Sequence, residues 1–378
     1  MILQILQRLF HVLLGLCRQA YHLAQNHIEA RHGQPVIGGE EEGRLAQKSS
    51  WHRLAIVVLH PEQHSAPFIV NLLNGLAENN FFVLAVAAKK LPLEIKDSVL
   101  SHCHYLLERF SINRNYASVK AALEWAEKQT DLKDADTLTL LDDGFYYPRH
   151  ISSTLGQMLG QDADWLNLFD NSQTSGPSQS FFHIFRAAVF KSDAFAEFWK
   201  NEALAPIQLH AAKGETGLGA ALNKAGFIAR AYYSSTRLRA DILAALENEN
   251  VPVRLQDTLN LTLGFERRKK GRVPPRAQDS LSLPTADVAR RIGKLAEGDN
   301  PAHAIGLLCN YLYQAPLKRS IGHYANTASD LIALVQGFST GEKTLMTEEL
   351  GRKNKNRTTS LVGIRKIPQR LLQTARGS

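Results

Sequence analysis

The stretch Thr137-Leu138-Thr139-Leu140-Leu141-Asp142-Asp143-Gly144 decides the fold class. Thr137–Leu141 reads as a buried central strand that runs straight into two carboxylates and a glycine. Apolar strands of this kind belong to open α/β sheets, whose ligands sit beyond the carboxyl ends of the strands. Working outward, strands and helices alternate as in a mostly parallel sheet with helices on its faces. Upstream, Ala55–Leu59 is a strand, Pro67–Asn79 a helix carrying Ile69, Leu72, Leu73 and Leu76, and Phe81–Ala88 a strand. Tyr105–Phe110 is a further strand and Tyr116–Lys128 an amphipathic helix with Val119, Leu123 and Ala126 on one side. Downstream, Asp164–Phe169 and Ser180–Phe190 are strand-like, Asp193–Lys200 and Thr216–Ala225 are helices, and Phe227–Tyr233 closes the unit.

The flanks differ in character. Residues 1–35 read as an amphipathic helix whose first half is strongly apolar, from Ile2 to Leu16. Arg8, His11 and Arg18 interrupt it before the roughly 20 apolar residues a bilayer crossing needs. Charge placement and the lack of a small-residue cleavage site also argue against a secretory signal. An interfacial anchor and a helix packed on the body or a partner fit this pattern equally. Residues 36–50 have linker composition, with Gly38, Gly39, Gly43 and three successive glutamates. The expected organisation is therefore a helix at 1–35, a linker at 36–50, an α/β domain at 51–235, a helical accessory domain at 236–345 and a basic, disordered tail at 346–378.

Composition bounds the function. Hydrophobic residues at 44% and charged residues at 21% exclude wholesale disorder and a multi-span membrane protein. The formal charge of +8 is local: residues 351–378 hold eight Lys/Arg and no acid, so residues 1–350 balance 36 basic against 36 acidic side chains. That tail lacks the aromatic interleaving of a stacking platform, which argues against nucleic acid and for anionic surfaces such as lipid head groups. Cys17, Cys103 and Cys309 are too scattered for a disulfide framework or zinc knuckle, so a cytoplasmic, reducing compartment fits, with peripheral attachment at the inner membrane. His102-Cys103-His104 alternates across a strand start without a third ligand, so a structural role is expected. Trp125, Trp165 and Trp199 are expected in the core.

Chemistry concentrates at Asp142 and Asp143. Adjacent carboxylates can hold Mg²⁺ or Mn²⁺ together with a diphosphate, since hard cations take oxygens from one or two carboxylates and from substrate phosphates. The same residues also favour a tight turn on their own account.

Arg114-Asn115-Tyr116-Ala117-Ser118-Val119-Lys120 and Leu140-Leu141-Asp142-Asp143-Gly144-Phe145-Tyr146-Tyr147-Pro148 together resemble the paired motifs of the rhamnan synthesis protein F family. Further likenesses follow in order: Asp164-Trp165, Ser178–Phe182, Ser192–Trp199, Glu215 before a helix, Asn300-Pro301 and Ala315–Arg319. The resemblance spans about Arg109 to Tyr324. It implies a glycosyltransferase A-type fold and transfer of a deoxysugar such as rhamnose from a nucleotide-sugar donor to a glycan or lipid-linked acceptor in bacterial surface polysaccharide synthesis.

On that resemblance Asp143 binds metal or diphosphate, Asp142 assists, and Glu215 is the general base, or else a charge at a helix N-terminus. Arg114, Asn115, Tyr116, Ser118 and Lys120 fall in the donor-binding motif, with Arg114 and Lys120 suited to phosphates or simply solvated. Gln179 and Ser180 meet sugar hydroxyls or are ordinary strand residues. This chain departs from the family at Asn115, where a carboxylate is usual, and at Asp142, Gly144 and Tyr147. Loss of that carboxylate supports the alternative of a non-catalytic member scaffolding a polysaccharide-assembly complex.

Overall fold

The structure is a computed structural model that describes residues 37–48, 50–60, 66–109, 116–170, 182–202, 217–247, 252–269, 287–288, 290–291, 305–323 and 328–352. The helix expected at 1–35 and the part of the expected tail beyond residue 352 lie outside the described residues, whereas residues 346–352, expected to be disordered, are helical because Met346 and Leu350 are buried in a hydrophobic cluster. Among the described residues no helix is long and apolar enough to cross a membrane. The chain divides into two compact units.

The first unit is built on an eight-stranded sheet that starts at the edge strand β1 (Ile37–Glu42) and is ordered β1-β4-β3-β2-β5-β8-β7-β9. Its centre is parallel: β4 (Tyr105–Arg109), β3 (Phe82–Ala87), β2 (Arg53–Leu59) and β5 (Thr137–Asp142) all run one way. Two antiparallel steps follow, from β5 to β8 (Phe182–Arg186) and from β8 to β7 (Trp165–Phe169), and β9 (Ala229–Tyr233) ends the order. This is the α/β class expected from the alternation of elements. From Leu54 on, β2 is apolar without interruption, as is all of β3, because helices cover both faces of the sheet and leave no solvent face for polar residues.

Helix α1 (Ala66–Glu78) leads into β3, α2 (Leu93–Leu100) into β4, and α3 (Tyr116–Ala126) follows β4. After β5 come α4 (Ile151–Leu159) and, beyond β8, α5 (Ala187–Phe190) and α6 (Asp193–Glu202). Helix α1 stops at Asn80, whose positive φ of 58° lets Phe81 N–H turn back to the Leu76 carbonyl. One face of the sheet packs on α3 and α6 through Leu138, Leu140, Val119, Phe195 and all three tryptophans named above.

Three differences from the sequence reading have physical causes. Ile37–Glu42, in the stretch of linker composition, is the edge strand β1, antiparallel to β4. Glutamates suit it because Glu40 accepts from the Trp125 indole (2.7 Å) and Glu41 pairs with Lys96, itself bound to Glu108 at 2.9 Å. Ala187–Phe190 is a helical turn rather than the end of a strand. The Arg186 guanidinium there donates to the carbonyls of Leu159 (2.6 Å) and Gln161 (2.9 Å), where the strand ends. Helices α2 and α4 are absent from the sequence reading: α2 is only weakly amphipathic, whereas α4 is clearly amphipathic but short, at nine residues.

The second unit gathers residues 67–72, 144–151 and everything from Tyr233. Its described helices include Ser235–Leu246, Val253–Lys269, Gly306–Tyr313 and Ala328–Leu334, with a two-stranded ribbon of β6 (Phe145–Tyr146) and β10 (Leu317–Lys318). Phe68, Tyr146, Leu307, Ile321, Leu331 and Met346 form its core. Within it Arg319 pairs with Glu349 at 3.3 Å and lies over the Tyr146 ring at 5.1 Å. Ser339 and Glu342 form a capping box: Glu342 accepts from the Ser339 amide and hydroxyl, both at 2.7 Å. Burial pushes the Glu342 carboxyl up, but the Ser339 bonds, the Asn71 amide and Arg149 outweigh it and hold it below the usual range.

Candidate active site

The carboxyl ends of β2, β3 and β5 emerge together, as the parallel register requires: Val58 stands opposite both Val86 and Asp142. Strand β7 is antiparallel to β8, and β8 to β5, so β7 also ends on this side. The topology therefore brings His60, Asp142, Asp143 and Asp170 to one edge, where ligands of open α/β sheets bind. Two exposed lysines, Lys89 and Lys90, follow β3 there.

Asp143 is only 4% exposed. Its amide donates to the Val58 carbonyl (3.1 Å), which turns its side chain toward the end of β2. Carboxylate Oδ2 accepts from the His60 amide at 2.9 Å, and Oδ1 lies 3.0 Å from His60 Nδ1. A carboxylate only accepts, so Nδ1 carries the proton in this pair. The clamp fixes the carboxylate in one orientation. Asp142 is the half-buried last residue of β5 and continues the face carrying Leu138 and Leu140.

On that face the cross-strand row of Leu140, His183 and Asn167 lies one step inboard of Asp142. His183 Nδ1 bonds Asn167 Oδ1, and burial lowers the imidazole to about 3, so the ring is neutral. Asn167 is fully buried, and among the described residues its Nδ2 has no hydrogen-bond partner. This row gives Asp142 a rigid, uncharged backing.

Among the described residues there is no group of three or more His, Cys, Asp and Glu that could hold a metal ion. The donor set nonetheless suits a hard cation of the Mg²⁺ or Mn²⁺ kind, which keeps several waters and takes one or two carboxylates plus substrate phosphates. Asp142 and Asp143 are the residues that would hold it.

The other expected site residues distribute differently. Ser118 is completely buried within α3. Lys120, 3.9 Å from Glu124, lines a cavity at the opposite, amino ends of β2 and β5. Tyr116 begins α3, and its side chain lies outside the described residues, as do Arg114, Asn115, Gln179, Ser180 and Glu215. His60 and Asp170 were not singled out in the sequence. The signal that finds them is positional, since each is the first residue past a strand that ends on the same edge as β5.

His104 is structural, as expected. It is 2% exposed, stacks on Phe82 with centroids 4.9 Å apart, and its Nδ1 accepts from the Val83 amide at 2.9 Å.

No family model matches the chain, and no curated protein matches it. Among solved structures the chain is similar to the mannosyltransferase PcManGT of Pyrobaculum calidifontis in complex with GDP-Man and Mn²⁺, at 13% identity. That match covers 84% of this chain and 96% of the other, with a TM-score of 0.33. It is also similar to residues 1–349 of TarS from S. aureus, at 13% identity over 75% of this chain and 81% of that one, with a TM-score of 0.28.

Proposed function

We propose that the chain is a glycosyltransferase of the A-type fold, transferring a sugar from a nucleoside-diphosphate donor to a glycan or lipid-linked acceptor. The single observation that supports this most is a carboxylate pair at the end of a central strand, one member fixed by a two-point clamp from the neighbouring strand end. In the transfer, the bond from the sugar's anomeric carbon to phosphate oxygen breaks as the acceptor oxygen bonds that carbon. The nucleoside diphosphate leaves with the electron pair, and the acceptor's proton passes to a base. A divalent cation, when bound, would neutralise charge developing on the diphosphate. Asp143 and Asp142 would hold it, and Lys89 and Lys90 are placed to meet phosphate oxygens.

The sequence resemblance adds finer assignments. Glu215 is the base, Arg114, Asn115, Tyr116, Gln179 and Ser180 surround the donor, and the donor sugar is rhamnose or another deoxysugar. The basic tail and apolar N-terminal segment suit a peripheral position at the cytoplasmic face of the inner membrane.

One observation favours a non-catalytic scaffold instead: both oxygens of Asp143 are already engaged by the chain's own His60. Purified protein incubated with a panel of nucleotide sugars and Mn²⁺ separates the readings. Transfer or donor binding that Asp143→Asn weakens at least tenfold supports the enzyme. No donor binding by wild type, with Asp143→Asn indistinguishable from it, overturns the enzyme in favour of the scaffold.

A further inference from the structure

A cavity of about 540 Å³ opens between α3 and α6 at the amino ends of β2 and β5, within the first unit. It lies at the far end of the strands from Asp142 and Asp143. Leu54 and Leu138, each the second residue of its strand, line it together with Leu123, Phe195 and Trp199. Its size falls within the ~300–1,000 Å³ of ordinary small-molecule sites, and its apolar lining with a few polar groups is likewise typical of them.

The polar residues around it are unevenly charged. Among the described lining residues the cations are Lys120, Lys133, Lys191 and Lys200 and the acids Glu124 and Glu127. Lys120 is taken up by Glu124 at 3.9 Å, and Lys191 lies over the Phe190 ring and donates to the Lys133 carbonyl at 3.4 Å. Lys133, Lys191 and Lys200 form no ion pair among the described residues. An apolar lining with a cationic surplus matches a ligand that is apolar along its length and anionic at one end. The chain's own apolar N-terminal segment matches less well, because Arg8, His11 and Arg18 would add positive charge to a site already in cationic excess. A bilayer surface matches less well too, since the apolar residues line a recess and do not project.

We propose that this cavity binds a single-chain amphiphilic phosphate, its alkyl or prenyl chain against Leu54, Leu138 and Trp199 and its phosphate among Lys133, Lys191 and Lys200. The site is separate from the candidate active site and does not depend on the sugar-transfer reading.

The test uses the full-length protein and isothermal calorimetry with octyl phosphate, decyl phosphate, inorganic phosphate and decyl maltoside, each below its aggregation threshold. Affinity is expected to rise about fourfold per added methylene, roughly fifteenfold from octyl to decyl phosphate. Ala196→Phe, at an exposed position that lines the cavity, removes decyl phosphate binding while the circular dichroism spectrum stays that of wild type. Lys133→Gln combined with Lys191→Gln weakens binding several-fold and flattens its dependence on salt. The proposal is overturned if inorganic phosphate or decyl maltoside binds as tightly as decyl phosphate, or if Ala196→Phe binds decyl phosphate like wild type. Equal capture of wild type and Ala196→Phe by anionic phospholipid vesicles would assign the lysines to a membrane surface and overturn it as well.

Discussion

His104 makes the stability of the first unit depend on pH in a way that can be measured. Its ring stacks on Phe82 and meets Trp51 edge to face, with centroids 4.9 Å and 4.5 Å away, and Nδ1 accepts from the Val83 amide. Burial pushes the imidazole down to about 4 from an ordinary 6.5; the Ala46 carbonyl opposes this and Lys48 reinforces it. The folded pKa lies below the unfolded one, so between pH 6.5 and 4 the unfolded chain holds a proton that the folded chain does not. Stability from this residue is complete above 6.5 and falls as pH drops through that window. At about 1.4 kcal/mol per pH unit, His104 alone removes about 2 kcal/mol between pH 7 and pH 5. Urea unfolding at pH 7, 6 and 5 on wild type and His104→Gln reads this directly. The glutamine variant is less stable at pH 7, having lost the stacked ring, but its decline to pH 5 is shallower by about 2 kcal/mol. His183 titrates in both proteins and cancels from the comparison. Declines that agree to within about 0.5 kcal/mol, close to the error of the extrapolation, would refute the assignment of a buried neutral imidazole.

Three further outcomes follow from packing. Gly43→Ala would set its Cβ 1.9 Å from the Cys103 carbonyl oxygen. Because that obstacle is backbone, urea unfolding should show a loss of at least about 2 kcal/mol. Ser339→Ala removes the hydroxyl that bonds both the amide and the carboxylate of Glu342, and should cost about 1 kcal/mol in the same assay. Burial pushes the Cys103 thiol up to about 12 and Cys309 is also buried, so neither reacts with a thiol-specific chromogenic reagent at pH 8 until denaturant is added.

How much of this was legible in the sequence depended on whether the cause was local. Strand β2 is a continuous apolar run and β5 ends in two acids, so both strands and the special position of Asp142 and Asp143 could be read directly. The partner of Asp143 could not. His60 lies 83 residues away, and only the parallel register of β2 with β5 makes them neighbours. Strand β1 was hidden for another reason. Its Gly-Gly-Glu-Glu-Glu has no hydrophobic period, and it is a strand because β4 offers a ladder and Trp125 and Lys96 meet its glutamates. The run Ala187–Phe190 illustrates the ambiguity of short apolar segments, which periodicity alone cannot assign to strand or helix. Residues 67–72 and 144–151 joining the second unit is likewise a long-range effect, carried by Phe68 and Tyr146 packing on Leu307, Leu317 and Ile321.

The sheet also explains why the two proposed sites can be tested independently on one small unit. Four residue steps along β5 separate Leu138, at the cavity, from Asp142, a distance of about 13 Å at strand rise. Lys133 and Lys191 are exposed, and screening reduces the interactions of solvent-exposed charges over about 8 Å at physiological ionic strength. Neutralising Lys133 and Lys191 should therefore leave the field at Asp143 almost unchanged, while Asp143→Asn should leave amphiphile binding unchanged. The strands between are packed on both faces by apolar side chains, which hold the spacing rigid. A double variant whose effects on donor and amphiphile binding fail to add would mean that the two ends communicate through the strands themselves. Separate readings of the two sites would then have to give way to a coupled one.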